Sequence, residues 1–545
     1  METTSGQLIE AAVAGHLVDQ QTVDQLRAVA RRRRSDLLEE VVNHARVPVA
    51  AIYRAYAEQR GMAFVDPMTS TIDGELLSGL PETLLRRRHV LPVARENGHV
   101  LVATSHPDDR QTLATVERSL GVPVRVAVAE PEALLRSLDH ALRLVKRDGS
   151  PAVSLEEPNA VGLLDQILKE AFLRHASDVH LEPQEKGMRV RLRVDGRLQE
   201  YMRGLREVEA VSLVTRVKVL AGLNIAEHRA PQDGGYRHPR PDGVEGGIDI
   251  RVATVPTRWG EKATLRLLGT DAAALTLERL GMLPGDLAAF RRAIQRPHGI
   301  ILLTGPTGSG KTTTLYGALR EIIRPDVNVM TVENPIEYVI DGISQIQVGG
   351  SDKVTFASAL RSLLRHDPDV LMVGEIRDRE TAETAMQASM TGHLVFSTLH
   401  TNNACSAVTR LADLGCERYM VASTLEAAVA QRLVRRLCDR CKLARTATEE
   451  EAALLKVGDG WDGTVCDPVG CARCFGVGFR GRIGLFEPLW VDDPIRHLIS
   501  AAATERELAA QAGDALKTLG RDGLEKVRMG LTTLDEVKQV TSVEI

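Results

Sequence analysis

The stretch Gly305-Pro306-Thr307-Gly308-Ser309-Gly310-Lys311-Thr312 decides the fold. It satisfies the spacing G-x-x-x-x-G-K-[ST], follows the apolar run Gly299–Thr304, and precedes a helix-favouring stretch from Thr313 to about Ile323. A phosphate loop needs that strand–loop–helix context. Its glycines let several backbone N–H groups converge on one phosphate, and the helix that follows adds the positive end of its dipole. On this reading Gly305 to Thr313 hold a nucleoside triphosphate, with ATP the expected ligand. Lys311 reaches the β- and γ-phosphates and the Thr312 hydroxyl takes a place on Mg²⁺. A glycine-rich turn without a ligand is the plainer alternative, and the full match with its flanks argues against it.

Outward from the loop, apolar strands at Ile300–Leu303, Asn328–Val332, Val370–Val373 and Leu394–Ser397 alternate with helical stretches. That alternation predicts an α/β domain with a mainly parallel sheet covered on both faces. Three polar clusters fall at the strand ends. Glu333 and Glu337 stand beyond the second strand, and Glu375 follows the third, where an acid can polarise water or hold Mg²⁺ indirectly. His393 and His400 bracket the fourth.

Upstream, Met188–Asp195 alternates apolar residues with Arg189, Arg191 and Arg193, which predicts a half-buried strand with a basic face. Asp249–Pro256 and Glu261–Leu268 read as a hairpin around Thr257-Arg258-Trp259-Gly260. Centred there, the hairpin opposes Arg251 to Arg266. Like charges opposed across a ladder are unfavourable unless an anion or a nearby acid such as Asp249 relieves them.

Residues 7–60 read as helical, in two halves that loosely repeat, with the run Arg31–Arg34 between them as a solvated helix face or linker. From Met62 to about Leu144 the pattern is α+β, with a strand at His99–Thr104 and alternating valines at 122, 124, 126 and 128. Val145–Asn159 reads as a linker.

The chain has 545 residues, a formal net charge of -5, and 3% aromatic residues. Its length predicts three or four domains. Negative charge and scarce aromatics argue against a strand-tracking nucleic-acid groove, so no nucleic acid is expected as a partner. No apolar run approaches the roughly 18 residues of a membrane span, and the N-terminus lacks a signal-peptide layout, so a cytoplasmic protein is expected. Of the seven cysteines, Cys438-x-x-Cys441 and Cys471-x-x-Cys474 form two knuckles suited to a structural tetrahedral Zn²⁺. Cys405, Cys416 and Cys466 read as ordinary thiols.

Further blocks make a resemblance specific: Ala176-Ser-Asp-Val-His-Leu-Glu-Pro183, Val194-Asp195-Gly196, Pro231-Gln-Asp-Gly234 and Leu363-Leu-Arg-His-Asp-Pro-Asp369. Gly374-Glu-Ile-Arg-Asp378, Thr391-Gly-His393 and Gly481-Arg-Ile-Gly-Leu-Phe-Glu487 complete the set. With these the chain resembles a secretion ATPase of the type II secretion and type IV pilus assembly family, the general secretory pathway protein E kind. The match runs from about Asn159 to the C-terminus, and more loosely over Met62–Leu144.

The resemblance implies this organisation: an N-terminal helical segment (1–61), an α+β domain (62–145), a linker (146–158), a PAS-like domain (159–270), a RecA-like ATPase domain (271–435), a zinc-binding lobe (436–485) and a C-terminal helical segment (486–545). It implies a homo-hexamer that hydrolyses ATP and works with inner-membrane platform and adaptor proteins at the membrane's cytoplasmic side. It makes Glu337 the catalytic base ahead of Glu333, and Glu375 the second acid near Mg²⁺. Lys311 grips phosphate, His393 and His400 sense the nucleotide, and Arg251 and Arg266 act as arginine fingers, a device that contributes roughly 10³–10⁵ in rate.

The chain departs from the family pattern at Asn334, where an aspartate is usual, at Asn403, where an aspartate is common, and at His366, where glutamine is usual. The first departure supports an alternative, a nucleotide-binding scaffold that hydrolyses weakly or not at all. A DNA-linked conjugation-type ATPase is the other. The N-terminal repeat resembles domains that bind cyclic di-GMP in some relatives. Their Arg-Leu-Gly signature is missing near Gly6-Gln7-Leu8 and Ser35-Asp36-Leu37, which makes that ligand doubtful and favours an inner-membrane partner protein.

Overall fold

A computed structural model describes residues 5–541 apart from 34, 46, 69, 71, 74, 75, 78, 79, 97, 149–159, 241–246, 269–275, 350–353 and 456–460. The expected linker therefore lies almost wholly outside the described residues. The helix before it, Pro131–Asp148, runs three residues past the expected boundary at 145.

Four helices open the chain, Ser5–Ala14, Gln20–Arg33, Leu37–Ala45 and Val49–Gln59. Their apolar stripes close on one another through Leu8, Ala12, Val41, Ile52 and Tyr56. The arginine run begins at the end of the second helix, and Arg31 is exposed. A small sheet follows in the order Ala63–Phe64, Val124–Val128, His99–Thr104, Val90–Glu96.

The next unit is a six-stranded antiparallel sheet, Arg197–Leu205, Gly187–Val194, Ala176–Gln184, Gly260–Leu268, Gly247–Thr257, Gln232–Pro239 in spatial order. Helices Ala160–Leu173 and Glu207–Leu220 pack on it. Every second residue of Gly187–Val194 is buried, as the alternation requires. Glu182 on the adjacent strand neutralises the basic face, pairing with Arg189 at 3.0 Å and Arg191 at 2.7 Å. The hairpin register opposes Arg251 to Arg266.

The last unit is a seven-stranded sheet in the order Ser344–Gln347, Val329–Glu333, Val370–Val373, Leu394–Leu399, Gly299–Thr304, Leu425–Leu437, Phe479–Trp490. All neighbours are parallel except the final pair. Its inner strands are buried along their whole length, which explains their unbroken apolar runs.

The final antiparallel pair runs from Ala427 opposite Trp490 to Leu437 opposite Phe479. The cysteine lobe is thus an insertion at the tip of a long hairpin. Both strands cross the expected boundaries at 435 and 485, because pairing within the ATPase sheet continues up to the knuckles.

Polar contacts join the six-stranded unit to this sheet and its flanking helix. Asp195, at a turn with φ 50°, accepts the Gly481 N–H at 2.8 Å. Arg197 donates to Glu536 at 3.0 Å, and Glu536 also accepts from the Arg435 side chain at 2.7 Å and its N–H at 3.1 Å.

Candidate active site and cysteine centre

Strand Gly299–Thr304 delivers the loop at its carboxyl end, and helix Lys311–Ile322 leaves it. The loop lies flat against strand Leu425–Leu437. A Cβ on Gly305, which has φ 143°, would meet Gln431 O at 2.5 Å and the Arg432 guanidinium at 2.9 Å. Gly310, with φ 86°, starts the helix from a left-handed conformation that suits glycine. Thr314 fastens the helix to the same strand by donating to Gln431 Oε1 at 2.8 Å. Ser309 Oγ is buried and has no hydrogen-bond partner among the described residues, which leaves it available to donate to a ligand.

Lys311 is 8% exposed and donates to the Gly305 and Pro306 carbonyls at 2.7 and 3.1 Å. Burial lowers its pKa to about 8, an effect that nearby Glu375 opposes and Arg432 reinforces. Glu375, half-buried beyond strand Val370–Val373, pairs with Arg377 Nε at 2.7 Å and lies 3.6 Å from His400 Nε2. His400 follows strand Leu394–Leu399, and burial holds its pKa below the ordinary imidazole range, with Lys311 adding to that and Glu375 opposing it. The fold therefore collects Lys311, Glu375 and His400 from three parallel strands at one sheet edge. That edge is where ligands of open α/β sheets bind.

Glu333 and Glu337 occupy different surroundings. Glu333 is buried and accepts from Tyr316 Oη, from Thr331 Oγ1 at 2.6 Å and from Gln345 Nε2 at 3.1 Å. Its lone pairs are largely committed. Glu337 is exposed.

The remaining expected residues are not at this edge in the subunit. His393 precedes strand Leu394–Leu399, so it lies at the opposite end of the sheet. There its carbonyl accepts the Gly299 N–H at 3.3 Å and its Nδ1 sits 2.8 Å from Ala388 O. A strand's length therefore separates it from the loop. Arg266 pairs with Asp178 at 3.1 Å, and Arg251 is half-buried without an ion pair among the described residues. The acid that meets this opposed pair is Asp178 on the neighbouring strand, which engages Arg266.

Two arginines escaped the sequence reading. Arg432 donates to Gln431 O and Asn402 O, both at 3.0 Å, beside the loop. Nothing in its local sequence marks it, because only the pairing of Leu425–Leu437 with Gly299–Thr304 brings it there. Arg377 sits within the block Gly374–Asp378, where its placement beside Glu375 was open to suspicion.

At the hairpin tip Cys438, Cys441, Cys471 and Cys474 gather their sulfurs within 4.8 Å of one another. The sulfur separations are 3.8 Å for Cys438–Cys471, 3.7 Å for Cys441–Cys474 and 3.8 Å for Cys471–Cys474. Four thiolates at about 2.3 Å from a tetrahedral Zn²⁺ stand about 3.8 Å apart, so the donor set fits that ion. Cys474 Sγ also accepts N–H groups of Cys471 at 3.1 Å and Gly478 at 3.2 Å, which favours its thiolate. Cys405, Cys416 and Cys466 are buried.

A glycine loop at the carboxyl edge of a parallel sheet, followed by a helix that starts at its lysine, defines the phosphate-loop nucleotide-binding class. Known proteins narrow the class. Residues 155–539 match the family described as Type II/IV secretion system protein, and the chain belongs to that family. Residues 60–148 match the MshEN domain.

The chain is 40% identical over 531 residues to the Thermus thermophilus "Type IV pilus assembly ATPase PilB", covering 93% of this chain and 59% of that one. It thus spans less than two thirds of that relative's length. It is 42% identical over 498 residues to the Dickeya dadantii "Type II secretion system protein E", covering 86% of this chain and 98% of the relative. Against the Pseudomonas aeruginosa "Type II secretion system protein E" the identity is 49% over 384 residues, 70% of this chain and 76% of the relative. The solved structure of the Legionella pneumophila ATPase DotB shares the fold, with a TM-score of 0.52 at 24% identity over 72% of this chain and 97% of that one. Among the described residues no helix is long and apolar enough to cross a membrane.

Proposed function

We propose that the chain is a cytoplasmic motor ATPase that assembles as a homo-hexamer against inner-membrane platform and adaptor proteins. Its ATP cycle drives addition of pilin or pseudopilin subunits to a filament. The observation that carries this reading is the convergence of Lys311, Glu375 and His400 on the glycine loop, in a chain of this family.

In the proposed cycle the loop amides and Lys311 exchange the Gly305 and Pro306 carbonyls for the β- and γ-phosphates. Ser309 supplies a further donor, and Thr312 Oγ1 a ligand for Mg²⁺. When bound through Thr312, Mg²⁺ would neutralise phosphate charge. Glu375, held by Arg377, orients water through its carboxylate. Glu337 takes the attacking water's proton, since its exposed carboxylate is free where that of Glu333 is engaged. Arg251 and Arg266 reach the phosphates only after the six-stranded unit moves, because Arg266 must first leave Asp178. His393, at the far sheet end, is assigned no role at its own subunit's loop. The four N-terminal helices end at Gln59, before the MshEN match begins, and we assign them a protein partner.

Phosphate release measured with Mg²⁺ and ATP tests the reading. Lys311→Ala and Glu375→Ala should each lower turnover by about 10²-fold or more, the scale of removing a preorganised transition-state group. Turnover should also fall on dilution below the hexamer's dissociation range. Normal turnover in both variants refutes hydrolysis at this loop. Tight ATP binding without phosphate release in the unmodified hexamer would favour the scaffold reading instead.

A further inference from the structure

Each cysteine knuckle carries, beside its ligands, a residue that holds another part of the chain. In the first knuckle, between Cys438 and Cys441, the Arg440 carbonyl accepts the Val49 N–H at 3.0 Å. That N–H is an orphan donor at the first turn of helix Val49–Gln59. The Arg440 guanidinium lies 3.4 Å from Glu39 on the preceding helix.

In the second knuckle Phe475 directly follows Cys474 and has φ 54°, a left-handed conformation that costs a bulky residue and needs support from its surroundings. Arg136, on helix Pro131–Asp148, places its guanidinium carbon 4.4 Å from the Phe475 ring centroid. Arg174, which follows helix Ala160–Leu173, does the same at 4.4 Å. Both guanidiniums are pre-oriented, Arg136 by Glu132 at 3.0 Å and Arg174 by Glu170 at 2.8 Å. A cleft of about 480 Å³ runs along this junction, with Arg136, Arg174, Arg440 and Phe475 on its wall.

We infer that the cysteine lobe is the docking platform for the chain's own N-terminal unit, and that metal loading sets whether that unit is held. The N-terminal helices touch the first knuckle, helix Pro131–Asp148 touches the second, and the six-stranded unit reaches the same phenyl ring from Arg174. The direction of the Arg440 carbonyl and the left-handed turn at Phe475 are both set by how the four sulfurs are drawn together. Four thiols without a shared cation lack a force that keeps them about 3.8 Å apart. Metal loss therefore relaxes both knuckles and removes the hydrogen bond to Val49 together with the two guanidinium–ring contacts. The inference rests on the zinc reading of the four cysteines and is independent of ATP turnover.

The test is hydrogen–deuterium exchange at the Val49 amide in the full, zinc-loaded chain, with zinc content measured on each sample. Chelated protein and Phe475→Ala should exchange that amide at least about tenfold faster, while amides of strand Gly299–Thr304 keep their protection. Arg136→Gln, which leaves the lobe untouched, should accelerate Val49 exchange about threefold. Equal Val49 exchange in loaded and chelated protein overturns the inference. So does a zinc-retaining Phe475→Ala variant with unchanged exchange. If Phe475→Ala loses its zinc, Arg136→Gln decides, and no acceleration there overturns the inference.

Discussion

Lys311 makes ATP binding consume protons in a pH window set by its burial. In the nucleotide-free chain its pKa is about 8 against an ordinary 10.5. A bound triphosphate surrounds the ammonium with negative charge and pulls that pKa back up. Below the window the lysine is already charged and binding takes up no proton. Above it each bound nucleotide must bring one. With half the lysine neutral near pH 8, uptake should be about 0.1 proton at pH 7, about 0.5 at pH 8 and about 0.9 at pH 9. Apparent affinity should fall about tenfold from pH 7 to 9, equivalent to about 1.4 kcal/mol.

Burial holds the His400 pKa below its usual range, on the acid side of this window. Isothermal titration of Mg²⁺-bound ATP in buffers of different ionisation enthalpy reads the uptake directly. Lys311→Arg, permanently charged, should abolish it. Uptake that stays constant from pH 7 to 9, or that persists in Lys311→Arg, refutes the reasoning. The same shift bears on stability without nucleotide. Between about 8 and 10.5 the unfolded chain binds more protons at this lysine than the folded chain, so stability should rise with pH across that interval.

Gly305→Ala places a methyl 2.5 Å from the Gln431 carbonyl and 2.8 Å from Ser309 Oγ at φ 143°. It should weaken fluorescent-nucleotide binding at least about tenfold and cost about 1–3 kcal/mol in urea unfolding. Asp522 is buried and accepts from Lys526 Nζ and from the Phe486 N–H, while Lys526 also donates to Gly484 O at 2.7 Å. Asp522→Ala leaves an uncompensated buried ammonium and should cost about 3–5 kcal/mol by urea unfolding. Adding Lys526→Met should recover most of that loss, and a single-variant cost under about 1 kcal/mol would contradict the pairing.

The parallel sheet was legible because strands buried on both faces must be apolar throughout, and Gly299–Thr304 or Val370–Val373 could hardly be read otherwise. The opposition of Arg251 and Arg266 was legible too, since a hairpin's turn fixes its register. Arg432 was not, because its place depends on a strand pairing across more than a hundred residues. His393 and His400 share one sequence block, yet a six-residue strand separates them by roughly 20 Å at 3.3 Å per residue. That separation could have been worked out from spacing alone. The extent of the hairpin below the cysteine lobe was not legible, since it depends on the pairing of Leu425–Leu437 with Phe479–Trp490 across the insertion of residues 438–478.

Glu536 answers to two arginines from different units. When Arg197 withdraws with the six-stranded unit, the carboxylate keeps both of its bonds to Arg435 and no stranded charge remains behind. Arg197 itself is nearly half exposed and passes readily to water. A seam made this way can part and rejoin many times at small energetic penalty, as a joint in a cycling machine must.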